Sequence, residues 1–176
     1  MPDKQLIDEV ELVMQSVITR TRSYLESEFG IGVGETNLGC GAMDSLTLLD
    51  MTAIIGMGER FNLLIVVSFQ EELITALYQR MTEGFDVQPD EVDMYRESAA
   101  GEAVNTILGH CTMDLQHLDS RGILMTPPVV LHQVKTIRSM KNAMFYSQSL
   151  NTVFGRMNIS LVGPAELFDA RLDYAK

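Results

Sequence analysis

A carboxylate and a carboxamide stand three residues apart in the stretch SAAGEAVNTILGH, as Glu102 and Asn105, with Gly101 and Gly109 beside them. On a helix, residues three apart are neighbours. A carboxylate can meet a cation, and a carboxamide carries a donor and an acceptor on one short arm. At 3.6 residues per turn, Ser98, Glu102, Asn105 and Gly109 fall within an arc of about 60°, with Ala100, Ala103, Val104, Ile107 and Cys111 on nearly the opposite side. The second set belongs to the core and the first to solvent. A glycine inside a helix costs about 1 kcal/mol relative to alanine. Gly101 and Gly109 therefore need a use, and removing bulk lets another surface or a ligand approach the backbone around the pair. The plain alternative is that Glu and Asn are common on any solvated helix face.

Rival chemistries are poorly supported. His110 and His117 lie seven apart with Cys111 adjacent, and His132 is the third histidine, but no CxxC, HxxxH or HExxH accompanies them. Ser147 and Ser149 lack a GxSxG context. The glycine-rich GIGVGETNLGCG has GxGxG spacing and follows a helix, which fits a linker or turn better than a phosphate loop. Twelve methionines, among them Met14, Met51, Met81, Met113, Met125 and Met140, are spread along the chain and read as core filling.

The elements around the pair follow from periodicity. Leu6, Val10, Val13 or Met14, Val17, Ile18 and Leu25 predict a long amphipathic helix over 4–29, stopped by Gly30. SLTLLDMTAII and RFNLLIVVSF, joined by GMGE, predict a β-hairpin. Ser68 with Glu71 fits a capping box opening a helix that Gly84 ends. A second long helix over about 91–118 carries the pair, and GILMTPPVVLH, AMFYSQSL and TVFGRMNISLV follow as strands. The segment 164–176 reads as a short terminal helix. This order describes an α+β fold with a mostly antiparallel sheet.

With 176 residues and 46% hydrophobic content, one domain over 1–176 is expected. Thirteen basic against 24 acidic residues leave a net charge of −11, which argues against nucleic acid or an anionic bilayer as partner. No signal-like N-terminus and no apolar run of roughly 18 residues is present, so a soluble, cytoplasmic protein is expected. Cys40 and Cys111 do not form a disulfide framework.

Ser98, Glu102, Asn105 and Pro128 together give S-x3-E-x2-N-x22-P. This pattern resembles the signature of the CheC/CheX/FliY chemotaxis phosphatases. GEAVNTILGH resembles the family's motif helix and TPPVVL the proline-led strand after it, within a likeness running over Leu46 to Val162. No second ExxN occurs in the first long helix, so the single-site CheX type is the nearer match. The 40 N-terminal residues are least family-like. The resemblance implies a CheC/CheX-like sandwich with two long helices on the sheet, and a homodimer. It also implies hydrolysis of the phospho-aspartate of a CheY-like receiver, with Glu102 docking onto the receiver's lysine and Asn105 orienting the attacking water. Ser98, Gly101, Gly109 and Pro128 are supporting positions. No cofactor or metal of its own is implied, and Mg2+ is expected on the receiver. The alternative on the same scaffold is a non-catalytic receiver-binding or switch-assembly module.

Overall fold

Apolar residues at threes and fours wind Lys4–Phe29 into one 26-residue helix, α1, whose Val10, Val13, Met14, Val17 and Leu25 are buried. Gly30 ends it in the left-handed region at φ +62°, donating its N–H to the Glu26 carbonyl at 3.1 Å. Only glycine adopts that conformation cheaply. The structure, a computed structural model, describes residues 4–34, 36–42, 45–58, 62–119, 122–138 and 142–164. The helix expected beyond Pro164 lies outside the described residues.

The glycine-rich segment departs from the expected linker. Thr36–Ala42 forms strand β1, paired antiparallel to Ala143–Thr152 (β7) from Thr36↔Leu150 to Ala42↔Met144. Strand pairing uses backbone groups, so Gly39 and Gly41 join the ladder without any alternating pattern to announce them. The run expected as one strand from Ser45 is also split. Ser45–Thr47 (β2) pairs with Thr136–Arg138 (β6) as a separate ribbon, and the chain turns through 48–50 before Met51–Met57 (β3). The β3 strand and Leu63–Phe69 (β4) form the expected hairpin, with Met51 opposite Phe69 and Met57 opposite Leu63.

The Ser68 capping box does not form. Ser68 is buried inside β4, which stays paired with β3 and with Gly155–Pro164 (β8) as far as Phe69. Continued pairing moves the start of helix α2, Glu71–Met81, past the capping position. Its first amide is met from a distance: Glu71 N–H donates to Asp50 Oδ2 at 3.0 Å, while Asp50 Oδ1 accepts from Lys135 Nζ at 2.8 Å. After α2, Gly84 takes φ +87° in the turn. Helix α3 then runs Val92–Leu115, within the expected span.

An edge strand, Val129–His132 (β5), completes a six-stranded sheet of order β1-β7-β8-β4-β3-β5, all neighbours antiparallel. Leu63, Ile65, Val67 and Phe69 of β4 point to the helices and belong to the main core with Met157, Ile159 and Leu161 of β8. On the other face Val66 and Val162 pack against Leu46 and Leu48 beside the ribbon. Burial on both faces explains the unbroken apolar run LLIVV in β4. Each fully buried large side chain of this set contributes about 1.5–3 kcal/mol. Helix α3 lies on β3 and β5, flanked by α1 and α2, which fixes one of its faces and leaves the other free.

Candidate functional site

The free face of α3 is the one that carries the acid and the amide. Ala100, Ala103, Val104, Ile107 and Cys111 are buried, no more than 3% exposed, whereas Ser98, Glu102, Asn105 and Gly109 are exposed. Among the described residues neither Glu102 nor Asn105 is engaged by a hydrogen bond or an ion pair, so both are available to a partner. Glu102 lies on the edge of α3 toward α1. There Tyr24 is packed edge-on against Phe29 with ring centroids 5.1 Å apart. Burial pushes the Tyr24 phenol up to about 12, and the nearby Glu102 and Glu28 carboxylates push in the same direction. Tyr24 is therefore a neutral neighbour for Glu102 at neutral pH.

Beside the pair runs a groove of about 530 Å³ between α3 and the segment leading into β5. Gly101, Glu102, Asn105, Gly109 and Thr112 form one bank, and Met125, Thr126, Pro127 and Pro128 the other. The second bank hangs on the end of β3 that lies beyond its pairing with β5. Thr126 N–H donates to the Gly56 carbonyl at 2.9 Å, Gly56 N–H donates to Thr126 Oγ1 at 2.9 Å, and Met57 pairs with Met125. A Cβ on Gly56 would come within 3.2 Å of Thr126 Cγ2, so that glycine keeps the bank close to the sheet. Spacing on α3 gives no sign of Met125 and Thr126. Only the strand pairing brings them here.

The two motif glycines have different surroundings. A Cβ on Gly109 would meet nothing within 4 Å, so this position leaves open space over the ridge. A Cβ on Gly101 would sit 3.5 Å from Val130 Cγ2 and 3.8 Å from Pro128 Cγ, in ordinary contact. Gly101 thus faces β5 and its entry as well as the groove, in contrast to the open approach expected for both glycines. Pro128 immediately precedes β5 and lines the groove opposite Asn105. Ser98 lies a turn before Glu102, outside the lining, and among the described residues makes no hydrogen bond to it.

The remaining candidates are tied elsewhere. His110 and His117 are exposed while Cys111 is buried, so the three do not converge. His117 Nδ1 lies 3.0 Å from the Asp114 carbonyl. Among the described residues no group of three metal-ligating side chains is assembled. Ser147 and Ser149 face Ser160 at 2.5 Å and Asn158 at 2.8 Å across the β7–β8 ladder. The methionines divide: Met14 and Met51 are buried as expected, but Met113 is 65% exposed, contrary to core filling. Met140 lies outside the described residues. Asp114, on the α1 side of α3, accepts from Arg20 Nε at 2.7 Å and Ser16 Oγ at 3.0 Å and pairs with Arg20 Nη2, which holds its carboxyl below the usual carboxylate range.

The family model described as chemotaxis phosphatase CheX matches residues 51–151, more than half of the chain. The chain belongs to the CheX family. No curated protein matches it. Among solved structures, a chemotaxis protein CheX from Desulfovibrio desulfuricans superposes with a TM-score of 0.69 at 20% identity, covering 85% of this chain and 97% of that one. A CheX–CheY–BeF3–Mg2+ complex from Borrelia burgdorferi gives 0.63 at 14%, covering 85% and 96%. FliY from Thermotoga maritima gives 0.62 at 15%, covering 94% and 92%. At these identities the likeness is one of fold, and CheX and FliY share the sheet-and-helix architecture described above. No helix among the described residues is long and apolar enough to cross a membrane.

Proposed function

We propose that this CheX-family protein dephosphorylates the phospho-aspartate of a CheY-like receiver domain, using Glu102 and Asn105. The observation that carries the reading is the pairing of an unengaged acid and an unengaged amide on the exposed ridge of α3, beside an open groove. An acyl phosphate is already a reactive mixed anhydride, so a partner protein contributes chiefly position. Asn105 has the reach and the donor–acceptor pair to hold a water in line with the scissile P–O bond. Water oxygen attacks phosphorus, the bond to the aspartyl oxygen breaks, the receiver's carboxylate is regenerated and inorganic phosphate leaves. Glu102, three residues earlier on the helix, pairs with the receiver's lysine and fixes the helix in the cleft. Mg2+ bound by the receiver supplies charge neutralisation at the phosphoryl oxygens. No metal of this chain is needed.

The test is loss of phosphoryl group from acetyl-phosphate-charged, Mg2+-loaded receivers with and without this protein. Asn105→Ala should bind and melt like wild type while losing on the order of 10²–10³ in stimulated rate. Unchanged turnover by that variant would remove Asn105 from the mechanism. Binding without acceleration by the wild-type protein would favour the non-catalytic docking module. The homodimer implied by the family resemblance is also a proposal: β1 and β5 end the strand order, and their outer backbone groups could pair with a second copy. Light scattering at the monomer mass over the micromolar range would set it aside.

A further inference from the structure

Two large apolar side chains stand out in water on the ridge that carries the acid and the amide. Met94 is 54% exposed and Met113 65%. At about 100° per residue they bracket Ser98, Glu102, Asn105 and Gly109 within an arc of about 100°. Along the axis they are 19 residues apart, about 28 Å at 1.5 Å per residue, which is the diameter of a small domain. Between them, inside that arc, Glu102 is the one charged residue, although the chain as a whole carries −11. The stripe is thus exposed and nearly neutral with a methionine at each end, and methionine is enriched at interfaces, where its flexible thioether adapts to a partner's surface.

We propose that Met94 and Met113 are the apolar anchors that seat a single phosphorylated receiver domain over Glu102 and Asn105. The inference rests on the phosphatase reading above and adds what holds the complex together. The ridge is convex, so its occupant must be concave. In open α/β folds of the receiver type the functional crevice lies outside the carboxyl ends of the strands, which offers such a shape. A second copy fits less well, because a two-fold pairing along α3 would bring two Glu102 carboxylates together without a cation. An anionic bilayer would be repelled by the net charge. With one charge on the stripe, long-range attraction contributes little and the buried methionine surface supplies affinity instead, with Glu102 setting register.

The experiment compares full-length wild type with Met94→Glu, Met113→Glu and the conservative Met94→Leu and Met113→Leu. Three quantities are read: the melting temperature, kcat and KM for receiver dephosphorylation, and the Kd for a CheY-like receiver loaded with Mg2+ and beryllofluoride. Each Glu variant should melt within a degree or so of wild type and raise KM and Kd about tenfold or more, with kcat within about threefold, because binding and not chemistry is lost. The Leu variants should restore both constants. If the Glu variants keep wild-type KM and Kd while the wild type accelerates dephosphorylation, the anchors are wrong and the phosphatase reading stands. If the wild type neither accelerates nor binds any receiver tested, both fall together.

Discussion

Gly109 separates the demands of folding from those of function. It lies inside α3, takes no left-handed φ, and a Cβ built there would meet nothing within 4 Å. Gly109→Ala should therefore recover the helix-interior penalty of glycine, about 1 kcal/mol, with no packing cost against it. For a chain of this size that is a rise of roughly 2–4 °C in melting temperature. Gly109→Leu should keep most of the gain, since leucine is nearly as good a helix former as alanine. Its side chain, however, would stand over the ridge between Asn105 and Met113 and fill part of the groove. Displacing a partner by an ångström costs about 10² in rate, so Gly109→Leu should lose at least that much in kcat/KM for receiver dephosphorylation. Thermal unfolding followed by the helical circular dichroism signal, with receiver turnover measured on the same preparations, checks both halves. A lower melting temperature for Gly109→Ala would refute the open-space argument. Normal turnover by Gly109→Leu would refute close approach at this point of the ridge.

Two further expectations concern ionisation. The Asp50 carboxyl is held low, first by Lys135 and also by the Glu71 amide, and that of Asp114 is held low by Arg20 and Ser16. A depressed folded pKa gives stability that is present above the unfolded value near 3.9 and lost as pH falls through the folded one. Wild type should therefore lose urea resistance more steeply than the Asp50→Asn/Asp114→Asn double variant between about pH 5 and 2; parallel curves would show the two contacts to be inert. Cys111 is fully buried, and burial pushes its thiol up to about 11. Its peptide should stay unalkylated by iodoacetamide at pH 8 until denaturant is added, and rapid native labelling would contradict the packing of α1 on α3.

Legibility in the sequence followed the range of the interactions involved. Helices α1 and α3 could be read because their burial repeats with the helix period, and Gly30 because glycine takes the left-handed conformation that ends a helix more readily than any other residue. The Glu102–Asn105 adjacency is local to one turn, so it needed no fold to be visible. Strand β1 was hidden because its evidence is the backbone of β7, more than a hundred residues later in the chain, and two of its residues are glycines. The cap on α2 was misassigned for a related reason: Asp50 lies 21 residues before Glu71, whereas Ser68 sits at the textual distance a local box requires. The far bank of the groove, Met125 to Pro128, comes into place through pairing with the end of β3, which no helical spacing encodes. Met113 misled because composition cannot tell a buried thioether from an exposed one.

One consequence of the way α3 is seated concerns when the molecule spends its entropy. Glu102 and Asn105 are rooted on the outer surface of a helix whose inner surface, from Ala99 to Leu115, is part of the main core. The backbone beneath them cannot loosen without opening that core, so its amides should exchange with solvent only through global unfolding, among the slowest in the protein. The backbone positions that carry the pair are settled once, during folding. A partner that docks on this ridge should therefore find the backbone beneath the pair already in place, so that backbone rearrangement on binding is expected on the partner's side.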